Sequence, residues 1–87
     1  MKAFPRYLAF ASQDTPLTIS RIPFANLRAA CAQRGLMEGD RVSRIGAFTD
    51  HLLLRGPTGD RILVEKRLAV LIEVEPARQN VASSGWS

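Results

Sequence analysis

A chain of 87 residues is expected to fold as one domain, with an economical core. A hydrophobic fraction of 46 % excludes an unfolded polar chain, and a single cysteine excludes an internal disulfide. The net charge is +4 and ten of the twelve basic residues are arginine, yet no basic run exceeds Lys66-Arg67, so the charge is read as a solvated surface.

Residues 1–14 form an N-terminal segment without a clear period, in which Phe4, Tyr7, Leu8 and Phe10 are candidates to cover one edge of a core. Lys2, Arg6 and the stretch Tyr7–Ala11 faintly resemble a secretion signal, but the apolar stretch is too short and Pro5-Arg6 stand directly before it. No apolar run approaches a membrane span, so the expectation is a cytoplasmic chain without membrane insertion. Residues 15–22 alternate Leu17 and Ile19 against Thr18 and Ser20, which predicts a strand with Pro16 at its start. Residues 27–34 predict a short helix capped by Asn26, with Leu27, Ala30 and Cys31 on one face. Gly35 suits the left-handed position that ends such a helix, and Leu36 then folds back over Cys31.

Met37–Asp40 reads as a turn, followed by a strand at 41–47 containing Val42 and Ile45, with Gly46 marking a bulge. A third strand at 51–55 places Leu52 and Leu54 on one face, and Gly56–Asp60 is a hairpin connection. A fourth strand at 61–66 turns Ile62 and Val64 inward and Arg61, Leu63 and Glu65 outward. Residues 67–69 predict one tight helical turn, and residues 72–75 a last strand stopped by Pro76. Residues 77–87, including Val81 and Trp86, read as a flexible C-terminal tail. The tripeptide Gly-Asp-Arg occurs at 39–41 and 59–61, and turn chemistry accounts for both copies. The sum is a mainly β fold: five short strands, one short α-helix and tight turns in a small closed or nearly closed barrel.

The residues offer little chemistry. His51 is the sole histidine and Cys31 the sole cysteine, and no spacing brings them together as a nucleophile pair, so no catalytic residue is assigned and the chain is read as no enzyme. Paired metal-ligand spacings are missing; Asp50 and His51 are only weak candidates for a surface metal site, and no tight divalent site is expected. No glycine-rich phosphate loop occurs, so no nucleotide or other cofactor is expected. The strands at 41–47, 51–55 and 61–66 carry no aromatic residue, which argues against base stacking and against proline-rich peptides.

The segment Gly35-Leu36-Met37-Glu38-Gly39-Asp40-Arg41-Val42 resembles the Leu-Gly-(Leu/Met)-x-Pro-Gly-x-x-(Val/Phe) segment of the ferrous-iron transport protein A family. The stretch Leu27–Arg34 is similar to the helix that leads into it. Arg61–Glu75 is similar to the family's closing strand, Leu-Ala turn and final (Ile/Leu)-x-Val-Glu strand. The likeness covers residues 15–76. Two features depart from the pattern: Glu38 stands where the family has proline, and Gly46–Asp50 replaces a longer Pro-Leu-Gly-x-Pro loop. The resemblance implies an SH3-like domain and an accessory role in ferrous-iron uptake, through binding of the cytoplasmic GTPase part of a membrane iron transporter. The same domain type ends iron- and manganese-dependent repressors, and without a winged-helix segment the chain is not expected to be a complete one.

The expected docking surface is the outer face of the hairpin. Leu53 and Leu63 fall opposite the core-facing residues, and Arg55 and Arg61 flank the turn as a charged rim. The alternative function is a small basic barrel that binds RNA, a ribosomal protein or another protein partner.

Overall fold

The structure is a computed structural model that describes residues 6–77. Five antiparallel strands form one sheet: β1 (Pro16–Arg21), β2 (Arg41–Ala47), β3 (His51–Arg55), β4 (Arg61–Glu65) and β5 (Glu73–Pro76). Their order is β4-β3-β2-β1-β5. Helix α1 (Ala25–Gln33) joins β1 to β2, and the single turn α2 (Lys66–Ala69) joins β4 to β5. The protein is therefore mainly β. Leu17, Ile19, Val42, Leu52, Leu54, Ile62, Val64 and Val74 alternate inward along the strands and meet in one core cluster. That convergence rolls the sheet into an SH3-like barrel, left open between β4 and β5.

Local chemistry sets the element ends. Helix α1 ends in a Schellman cap. Gly35 takes φ +83°, its N–H donates to Ala32 O at 3.0 Å, and the Leu36 N–H donates to Cys31 O at 2.9 Å. Leu36 and Cys31 are both fully buried, so the chain folds back over the thiol as the sequence predicts. Both Gly-Asp-Arg copies prove to be turns. Gly39 and Gly59 have positive φ, while the Asp40 carboxylate accepts the Met37 N–H and the Asp60 carboxylate accepts the Thr58 hydroxyl. Between β2 and β3 the register shifts from Arg44 to Gly46, which leaves Ile45 as the bulged residue.

Four expectations are corrected. Helix α1 starts two residues early, and Phe24, not Asn26, is its cap residue. The Phe24 carbonyl accepts the Arg28 N–H at 2.8 Å, which places Asn26 within the first turn. No side chain caps this end. Instead, Ile22 N–H donates to the Glu38 carboxylate at 2.8 Å and Arg28 Nη1 donates to Ile22 O at 2.9 Å. The helical turn at 66–69 begins one residue before the expected 67 and takes Lys66 from β4, because the Val70 N–H bonds back to Lys66 O. The last strand starts at Glu73 and includes Pro76, which pairs opposite Leu17 at the strand end, where a missing N–H is tolerated. Phe10 covers no core and is 68 % exposed.

The packing of the N-terminal segment is new. A 3-10 turn at Leu8–Phe10 buries Leu8 completely, with Ala11 beside it in the core. Arg6 O accepts the Val74 N–H at 2.8 Å, and the Leu8 N–H donates to Ile72 O at 2.9 Å, so Arg6–Leu8 line the outer edge of β5. Further on, Arg44 Nη1 donates to Ala11 O at 2.7 Å and the Asp14 N–H to Arg44 O at 2.7 Å. Phe4, Val81 and Trp86 lie outside the described residues.

Candidate functional site

The four docking candidates occupy one face because of the hairpin register. Gly56 N–H donates to Asp60 O and Lys66 N–H to Asp50 O, so the hydrogen-bonded pairs are 56–60, 54–62, 52–64 and 50–66. The intervening pairs are Arg55 opposite Arg61, Leu53 opposite Leu63 and His51 opposite Glu65. Non-hydrogen-bonded pairs bring their side chains closest. The outer face is thus a ladder of three rungs: two cations, two leucines, then an imidazole and a carboxylate.

Leu63 is 48 % exposed, and neither the helix nor the N-terminal segment buries it. Leu53 is half-buried, because it leans over Gly46 on the bulged strand. A methyl group on Gly46 would stand 3.7 Å from Leu53 Cβ, in ordinary contact. Arg55 and Arg61 are exposed. Like charges directly opposite each other destabilise a strand pair, so this rung favours an acidic group laid across it.

The third rung escaped the sequence reading. Glu65 is held by Arg67 at 3.3 Å and by Arg34, from the end of α1, at 3.9 Å. These charges surround the weak metal candidates Asp50 and His51, which line a shallow cleft of ≈ 300 Å³ with Glu65, Lys66 and Arg67. Two cations beside the one carboxylate compete with any metal ion there. Among the described residues, no group of three or more His, Cys, Asp or Glu side chains is arranged to hold a metal. Cys31 is fully buried in the core, far from ligand chemistry, and burial pushes its thiol up from 9.0 while Arg34 pulls it down. No described helix is long and apolar enough to cross a membrane.

The fold and this face define a small SH3-like β domain with a mixed apolar and cationic outer surface. Its fold is that of FeoA. The structure matches an iron uptake regulatory protein, FeoA, with TM-score 0.72 and 18 % identity over 83 % of this chain and 96 % of that one. It matches an FeoA-like protein from Clostridium acetobutylicum with TM-score 0.71 and 18 % identity, over 91 % of this chain and 94 % of that one. It also matches ScaR, solved with bound Zn2+, at TM-score 0.71 and 20 % identity, over 88 % of this chain but only 39 % of that one. No protein-family model and no curated protein sequence matches the chain.

Proposed function

We propose that this protein is a non-enzymatic accessory protein of ferrous-iron uptake, of the ferrous-iron transport protein A family, acting in the cytoplasm by binding the GTPase part of a membrane iron transporter. The observation that carries the reading is the likeness to FeoA, which spans 96 % of that chain. The motif at Gly35–Val42 supports it, and so does the outer face of β3 and β4, where an apolar rung lies beside an arginine rung. Such a surface suits a partner that offers acidic groups around an apolar contact.

The double variant Leu53→Ser, Leu63→Ser tests the surface. It should keep its circular dichroism spectrum and lose capture of the transporter's cytoplasmic domain. A folded variant that still captures the domain removes this face from the proposal, and an unfolded one assigns both leucines to the core. RNA binding is the second reading, favoured by the net charge of +4. It requires oligonucleotide affinity that falls steeply with salt, since each phosphate contact releases counterions.

A further inference from the structure

The two edges of the sheet are treated differently. Arg6–Leu8 line the edge of β5, and Tyr7 bridges to Glu73. Nothing among the described residues pairs with β4 beyond β3. Because 54–62 and 52–64 are the hydrogen-bonded pairs, the backbone N–H and C=O groups of Arg61, Leu63 and Glu65 all point away from β3. Natural edges are usually blunted by proline, lysine, bulges or inward-facing charge. Strand β4 carries charge only at its two ends, Arg61 and Glu65, and otherwise lacks these devices: it reads Arg-Ile-Leu-Val-Glu, pairs without a register shift, and turns only Ile62 and Val64 inward.

That sequence is complementary to itself when reversed. Antiparallel pairing of two β4 strands about Leu63 sets Leu63 opposite Leu63 of the second copy, Ile62 opposite Val64, and Arg61 opposite Glu65. The outward backbone groups of 61, 63 and 65 then meet their own counterparts as hydrogen-bonded pairs. Each end of the contact joins a cation to a carboxylate, and the half-exposed Leu63 lies at the centre. A two-fold axis gives this self-complementarity at both ends.

We propose that the free edge of β4 is a homodimer interface, in which two copies join their sheets through antiparallel β4 strands centred on Leu63. An open groove of ≈ 590 Å³ beside Arg61 and Ile62, between the hairpin turn and the end of α1, leaves the Arg61 end accessible. At the other end Arg34 reaches Glu65 at 3.9 Å, a surface ion pair that yields at small cost. The dimer shares the side chains of Arg61 and Leu63 with the docking face, but its backbone pairing runs along the edge of the sheet, so it does not depend on the transporter reading.

Sedimentation equilibrium of the whole chain should show a reversible monomer–dimer equilibrium. Arg61→Glu sets like charges opposite each other at both ends and should weaken the dimer roughly tenfold. The double variant Arg61→Glu, Glu65→Arg restores opposite charges in exchanged positions and should recover most of it. A chain that stays monomeric at every concentration overturns the proposal, as does a dimer indifferent to Arg61→Glu or one that the double variant does not rescue. Amide exchange of the unaltered chain gives an independent reading, free of any folding defect in the variants. The N–H groups of Arg61, Leu63 and Glu65 should become protected as concentration rises, while those of Ile62 and Val64 stay protected throughout. Exchange at 61, 63 and 65 that does not change with concentration also overturns it.

Discussion

Leu36 has no exposed surface and sits where the helix end turns into the sheet. Leu36→Ala should therefore destabilise the protein by about 2–5 kcal/mol, the range for truncating a buried leucine. Against a total of about 5–15 kcal/mol, the shift in a denaturant midpoint should be large; an unchanged midpoint would show that this side chain does not pack. Beneath it, the Cys31 thiol is raised above 9.0 chiefly by burial. Its folded value exceeds its unfolded one, so its contribution is complete below 9.0 and is lost as pH rises through the folded value. The gap in denaturant midpoint between the unaltered chain and Cys31→Ala should therefore narrow at alkaline pH. A constant gap would show that the thiol titrates alike in both states. Both residues were legible in the sequence because their signals are local: a glycine at the helix end, a leucine after it, and a cysteine on the apolar stripe.

At the scale of elements, legibility follows the distance between the residues that decide. The strands read correctly where inward and outward residues alternate, as in β4. The start of α1 did not, because no local cap fixes it. Glu38 ties down the approach to it from across the fold by accepting the Ile22 N–H. This is also the position where the resemblance expected proline, so the departure has a structural role here. Leu8 stood among the core candidates, but where the N-terminal segment attaches was illegible for the same reason. Its partners are Ile72, Val74 and Arg44, which no window around residues 6–14 contains. Leu8→Ala should cost about 2–5 kcal/mol, since Leu8 is fully buried. It should also speed exchange of the Val74 amide, which donates to Arg6 O. A Leu8 variant as stable as its parent would mean that the segment merely rests on the sheet.

For the whole molecule, a scaffold shared with FeoA fixes where side chains stand and leaves their use to the surface. The outward placement of Leu53 and Leu63 was legible because period-2 alternation alone separates them from Leu52 and Leu54. The direct opposition of Arg55 and Arg61 was not, since it depends on the register of the hairpin. The strand order β4-β3-β2-β1-β5 carries one more consequence. The first strand is completed only by the last: β1 pairs with β5, and residues 6–8 then line β5 in turn. On a ribosome, the meander from β1 to β4 emerges while β5 is still being made. Ile19 and Leu17 then stand in a sheet whose neighbour has not arrived. Long-range closure of this kind is slow compared with local pairing, and it leaves strand edges open to other chains. The nascent protein therefore needs its final strand, and not merely most of its length, before it is safe from its neighbours.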